Sequence, residues 1–249
     1  MNGSTRTIAL TAACLLWLLP AAAWSKLHLD VESGIVGSGY NDVRIPGDTG
    51  TKFSLSEDLS TDSRVFFRAR LAYEFGGRHT LSALYAPLTL RASGTLGDRV
   101  DFAGERFAAG TYVDGTYTFN SYRLTYRYAL RTDGRFRAGV GFTAKIRDAV
   151  VKVEGGGLRA EKTNVGFVPL LNFRLEWALS DRVGLLVEGD GLAAPQGRAE
   201  DVLVALLFDV TDRVRARLGY RIVEGGADND EVYTFALLNY ASAGVTVSF

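Results

Sequence analysis

The stretch Val165-Gly166-Phe167-Val168-Pro169-Leu170-Leu171-Asn172-Phe173-Arg174-Leu175-Glu176-Trp177 decides the fold. Side chains two apart share one face of a strand, so Val165, Phe167, Pro169, Leu171, Phe173, Leu175 and Trp177 make one greasy face. Gly166, Val168, Leu170, Asn172, Arg174 and Glu176 form the other, which turns charged towards its end. The pattern recurs in Val65 to Phe75, where Arg68, Arg70 and Glu74 oppose an apolar row. It recurs again in Val214 to Ile222, where Arg215, Arg217 and Arg221 do so. The last segment, Tyr233 to Phe249, sets Phe235, Leu237, Ala241, Ala243, Val245, Val247 and Phe249 on a single face. One alternating segment is weak evidence, but ten in succession predict an all-β, ten-stranded antiparallel transmembrane up-and-down barrel.

The connections agree. Phe75-Gly76-Gly77-Arg78-His79, Arg131-Thr132-Asp133-Gly134-Arg135, Ser180-Asp181-Arg182 and Thr211-Asp212-Arg213 are short polar turns with Asp or Gly where a tight hairpin wants them. Longer polar stretches lie at 44–63, 92–116, 154–162, 193–200 and 224–231. Short turns alternating with long loops mark outer-membrane barrels, whose turns face the periplasm and whose loops face outward, and the count places both termini in the periplasm. Within 92–116, Val100, Phe102, Phe107 and Tyr112 alternate with polar residues, which predicts a hairpin projecting beyond the membrane. Two aromatic belts are expected: Phe75, Tyr128, Phe136, Trp177, Phe208 and Phe249 at the turn ends, and Phe67, Phe119, Phe167, Tyr233 and Phe235 at the loop ends.

Composition narrows the class. With 47% hydrophobic residues, 28 Gly and 5 Pro in 249, the chain is neither disordered nor collagenous. Residues 1–25 read as a cleaved secretory signal: Arg6, then the apolar run Ile8 to Leu19, Pro20 and Ala21-Ala22-Ala23, with a cut after Ala23 or Ser25. The barrel then occupies 26–249. The sole cysteine, Cys14, falls inside the signal, leaving no disulfide in the mature chain, and the apolar run continues past it, unlike a lipoprotein signal. No later stretch has the run of about 18 apolar residues a spanning helix needs. Removing Arg6 from 28 basic residues leaves 27 against 28 acidic, a near-neutral balance that argues against a nucleic-acid partner.

The C-terminal run Val245-Thr246-Val247-Ser248-Phe249 resembles the terminal-Phe signal of small Gram-negative outer-membrane β-barrel proteins, although Val247 stands where that signal prefers an aromatic residue. Gly166 to Arg174 and Ala194 to Asp201 look like signatures of one family within that superfamily. The resemblance implies the fold, an outer-membrane location, and docking to the barrel-assembly machinery through the strand ending at Phe249. It implies no activity.

Inward-facing charge is uneven. Arg68, Arg70, Arg123, Arg127, Arg137, Lys145, Arg147, Arg215, Arg217 and Arg221 fall on the second, fourth, fifth and ninth segments. Asp30, Glu32, Glu188, Asp190, Asp201 and Asp209 fall on the first, seventh and eighth. Unpaired charge inside a narrow barrel is costly, so an arginine–carboxylate network is expected, with Glu188, Asp190 and Asp201 partnering Lys145, Arg147 or Arg221. A barrel little wider than the eight-stranded size that side chains fill is plugged by such a network. The main reading is a non-enzymatic structural or surface-binding protein with a plugged lumen, and the alternative is a narrow ion or solute channel.

An enzyme ranks third. The two histidines, His28 and His79, lie near the periplasmic end, away from the rim where such sites sit, which leaves only a carboxylate mechanism through Glu188, Asp190 and Asp201. The acidic run Glu224 to Glu231 lacks full calcium-loop spacing, and Gly155-Gly156-Gly157 has no helix after it to cradle phosphate. No cofactor or metal site follows. Arg106, Arg159 and Lys162 are expected to meet outer-membrane lipid and the phosphates of lipopolysaccharide.

Overall fold

A computed structural model describes residues 26–249, Gln196 excepted. The expected signal segment, residues 1–25 with Cys14, therefore lies outside the described residues. Ten antiparallel strands form the wall: β1 (Lys26–Arg44), β2 (Arg64–Phe75), β3 (His79–Ala86 continuing as Thr89–Thr95), β4 (Tyr112–Arg131), β5 (Phe136–Gly155), β6 (Leu158–Ala178), β7 (Val183–Ala194), β8 (Gly197–Asp209), β9 (Val214–Asp228) and β10 (Tyr233–Ser248). Each pairs with its sequence neighbours, and β1 with β10 closes the ring from His28↔Ser248 to Arg44↔Tyr233. Both parts of β3 pair with β4, and the break at Pro87 falls where a residue without an N–H interrupts a ladder.

The alternation places side chains as the sequence predicts. Phe67, Leu71, Phe142, Val165, Phe167, Leu171, Leu218 and Val245 are exposed on the outer wall, whereas Arg68, Arg123, Arg217 and Arg221 are buried inside. At the turn end Phe136 packs against Trp177 with ring centroids 4.5 Å apart and the rings tilted by 43°, and Phe75, His79 and Tyr128 cluster. The turns are held by their own side chains. Ser180 Oγ accepts from Val183 N at 3.1 Å and Thr211 Oγ1 from Val214 N at 3.0 Å.

Four expectations are corrected. Residues 154–162, 193–200 and 224–231 are mostly strand: β5 and β6 run on to a two-residue turn at Gly156-Gly157, and β7 to β10 extend similarly. Second, the connection expected to be long at 154–162 is a tight bend, since both turn glycines have positive φ (59° and 79°), the conformation of a type I′ hairpin. Polar composition there reflects strands outside an apolar band, not the absence of strand. The third correction is the 92–116 connection: β3 and β4 do extend, but the tip pairs Val100–Phe102 with Glu105–Phe107 and folds inward. Phe102 and Phe107 are at most 1% exposed, packed with Ile45, Phe53, Leu55 and Leu96. Main-chain bonds from Thr51 N to Asp101 O and from Ala103 N to Ile45 O, 2.9 and 2.8 Å, tie it to the 45–62 connection. Fourth, Phe119 leaves the expected belt: it sits on the inward face of β4, packed against the core under this cap.

Candidate functional site: the charged lumen and its two ends

At mid-height four arginines meet four carboxylates. Arg221 donates to Glu32 Oε2 at 2.8 Å and also to Asp201; Arg68 reaches Asp201 at 2.9 Å. Arg123 bridges Asp190 and Asp201, each at 2.7 Å. Arg217 donates to Asp30 Oδ1 at 2.9 Å and to Glu32 Oε2 at 3.1 Å. Asp190 further accepts from Thr143 Oγ1 (2.6 Å) and Asn172 Nδ2 (2.8 Å), and Asp30 from Thr246 Oγ1 (2.6 Å). The side chains of Arg68, Arg123 and Arg221 are at most 6% exposed, which is tolerable only because every carboxylate is matched and hydrogen-bonded.

A second tier lies towards the turns. Glu188 accepts from Arg70 (3.2 Å) and Arg174 (2.6 Å), Arg174 continues to Glu176 (3.1 Å), and Arg215 joins Glu176 (2.9 Å) to Asp209 (3.1 Å). Arg137 completes it from the rim, 3.3 Å from Glu176. Arg127 lies against Gly139, where a Cβ would stand 3.1 Å from its Cδ. Arg174, Glu176 and Asn172 belong to the network but were not counted in it from sequence, although their alternation in the 165–177 stretch already put them on the inward face.

Below this tier the lumen opens at the turn end as a vestibule of about 520 Å³. His28 Nδ1 lies 2.8 Å from Ser248 Oγ there, and its Nε2 is 3.4 Å from Glu74 Oε1, a set of residue types that hydrolases use. The orientation fails, since His28 Nε2 makes no hydrogen bond. The adjacent main-chain donors, Ser248 N and Phe249 N, are committed to Arg213 O and Leu27 O at 2.8 Å each, so neither is free to stabilise an oxyanion. The carboxylates offered as an alternative acid–base set are all committed, Glu188 to two arginines, Asp201 to three, and Asp190 to Arg123 and the neutral donors Thr143 and Asn172.

Above the network the expectation for two residues is overturned. Lys145 and Arg147 partner none of Glu188, Asp190 or Asp201. Among the described residues neither forms an ion pair: Lys145, 3% exposed, sets its Nζ 4.7 Å from the Phe119 ring centroid, and Arg147 donates to Asn164 Oδ1. Arginines of β2, β4, β6 and β9 hold those acids instead. Glu224, read as part of an acidic loop, instead accepts both a bidentate pair from Arg198 (2.8 and 2.7 Å) and the Tyr40 hydroxyl. Lys145 and Arg147 instead line a cavity of about 390 Å³ below the cap.

No family model matches the chain, and no curated protein matches it in sequence. The fold is similar to that of the outer membrane protease OmpT of Escherichia coli, with a TM-score of 0.56 at 10% identity over 90% of this chain and 97% of that one. The transport unit of the autotransporter AIDA-I of Escherichia coli aligns over 98% of this chain and 97% of its own, at 9% identity and a TM-score of 0.46. The translocator domain of NalP from Neisseria meningitidis aligns over 97% of each, at 12% and 0.42. The OmpT likeness concerns architecture alone. By fold, the chain is a ten-stranded antiparallel β-barrel of the outer-membrane kind.

Proposed function

We propose that the protein is a non-enzymatic outer-membrane barrel with a closed lumen, its turns and both ends of 26–249 in the periplasm and its capped end outward, acting through its outer surface. The observation that carries this reading is the matched ring of Arg68, Arg123, Arg217 and Arg221 with Asp30, Glu32, Asp190 and Asp201, buried across the mid-height of the barrel. Every ion crossing that level has to break a buried, charge-neutral pair, which costs several kcal/mol. The apolar cap built on Phe102 and Phe107 adds a second barrier.

The outer wall supports the membrane placement. On β6 it is apolar from Trp177 to Val165, 12 steps along the strand at about 3.3 Å each, or about 30 Å after a tilt of about 40°, which spans a hydrocarbon core. Phe249, 71% exposed at the turn end, suits recognition by the assembly machinery. Lipopolysaccharide remains the natural neighbour of the outward rim, but Arg106, Arg159 and Lys162 offer it little free charge, since Asp101, Glu154, Glu161 and Glu231 already hold them.

Planar-bilayer recording of the refolded, signal-free protein tests the reading. A silent bilayer with verified insertion is expected. Discrete conductance steps that change when Arg123 or Arg217 is replaced by Ala would overturn the plug and establish a channel.

A further inference from the structure

The wall has a break. β6 pairs with β7 only from Leu171↔Gly191 to Ala178↔Gly184, although β6 runs on through Leu158. On its other side β6 keeps its ladder with β5 over the full length, Phe136↔Trp177 to Gly155↔Leu158. Pairing with β7 thus stops two residues from Pro169, which has no N–H to offer a neighbour. β7 and β8 stay paired only as far as Ala194↔Gly197, three residues beyond Gly191. The result is a slot between β6 and β7, open from residue 170 towards the loop end.

The slot leads into the 390 Å³ cavity. Inward-facing Val168 and outward-facing Phe167 and Pro169 all line it, so the cavity reaches around the edge of β6 to the outer wall. Leu192 and Ala194 of β7 line the opposite lip. Gly191, the last paired residue, would bring a Cβ no closer than 3.9 Å to anything. The outer face of β6 stays apolar up to Val165, 70% exposed, so the slot opens within the band that lipid covers, near its outward edge.

The inner end is cationic. The mid-height network balances without Lys145 or Arg147, and both face the cavity. Lys145 is 3% exposed with its ammonium against the Phe119 ring, and Arg147, half-buried, donates to Asn164 Oδ1 while its Nε is buried without a hydrogen-bond partner. A buried ammonium with a second, half-buried cation beside it is stabilised by an anion. Among the remaining walls Tyr117, Phe119, Val151, Val223 and Leu238 suit hydrocarbon, while the charged groups that also line it are already paired, Glu224 with Arg198 and Lys162 with Glu231, and the volume lies in the range of about 300–1,000 Å³ usual for small-molecule sites.

We infer that this cavity binds a single-chain anionic amphiphile, a long-chain carboxylate, which passes sideways through the β6–β7 slot from the membrane. Its carboxylate meets Lys145 and Arg147, and its chain runs past Phe119, Leu192 and Phe167 to the outer wall. The inference rests on the membrane placement proposed above and names what that outward end holds.

The test uses the signal-free barrel in lipid nanodiscs and cis-parinaric acid, a fluorescent long-chain carboxylate, with its methyl ester as the neutral control. Saturable binding of the acid is expected, with the ester about tenfold weaker. Lys145→Met combined with Arg147→Gln should weaken the acid by about tenfold or more and abolish the preference over the ester. Lys145→Arg, which keeps the charge, should retain binding, and Leu192→Trp, which fills the lip of the slot, should lose it with both cations in place. Heat-modifiable migration on gels verifies that each variant is folded. No saturable binding to a correctly inserted wild type, or equal binding of acid and ester, overturns the inference and leaves the plugged barrel standing. A wild type that fails to insert at all overturns the membrane placement itself.

Discussion

Gly244 stands in register between Arg217 on β9 and Glu32 on β1, and the guanidinium of Arg217 lies across it. A Cβ at 244 would come within 2.5 Å of Arg217 Cζ and 2.7 Å of its Nη2. The bare strand position is what lets an arginine cross β10 to reach Asp30 and Glu32. Gly244→Val is therefore expected to eject Arg217 from both carboxylates and to cost about 3–5 kcal/mol. The outward neighbour substitution Ala243→Val should stay within about 0.5 kcal/mol. Urea titration of refolding into lipid vesicles measures both; equal effects would remove Gly244 from this role.

Arg221 serves two carboxylates, Glu32 and Asp201, at the centre of the ring. Arg221→Met leaves both short of a partner and is expected to destabilise by about 3–5 kcal/mol. Adding Asp201→Asn should cost clearly less than the sum of the single changes, with a coupling of about 1–3 kcal/mol in a double-mutant cycle. Additive effects would mean that the pair is not coupled.

Phe102 is 1% exposed within the cap, away from the wall. Phe102→Ala should cost about 3–5 kcal/mol locally while leaving the barrel intact. Limited proteolysis should then cut within residues 97–110, and the ten-stranded core should keep its heat-modifiable migration. Loss of the whole barrel instead would show that the cap and the wall fold as one unit.

Ser248, His28 and Glu74 share a corner of the vestibule without hydrogen-bond alignment at His28 Nε2. Wild type and Ser248→Ala are expected to hydrolyse a p-nitrophenyl ester at the same background rate. A rate in wild type that disappears in Ser248→Ala would reopen an enzymatic role.

Much of this was legible because a strand's period of two is a strict rule. It put Arg68, Arg123 and Arg221 indoors and Phe167 and Leu218 outdoors, and the Asp and Gly turns gave the strand count. Which acid meets which base was not legible. Arg68 and Asp201 are 133 positions apart, Arg221 and Glu32 are 189 apart, and alternation says which side of a strand faces inward, not what lies across the lumen. Lys145 and Arg147 were assigned carboxylates on that ground and have none. Val100, Phe102 and Phe107 failed likewise, since their shared face was clear while the 45–62 connection that covers it was not. Pro169 was the missed signal, a residue without an N–H inside the clearest strand of the chain.

The matched ring also constrains how the molecule is made. Arg221 holds Asp201 on the neighbouring β8, but Arg217 and Arg221 on β9 also reach Glu32 on β1, two strands away across the seam, and Arg68 on β2 reaches Asp201 on β8. No partial sheet contains both members of these cross-seam pairs in contact, so an unfinished wall would present naked guanidinium and carboxylate groups to hydrocarbon. Closure of the seam and transfer into lipid must therefore occur as one event, with the chain held in an aqueous or chaperoned setting until its first and last strands meet.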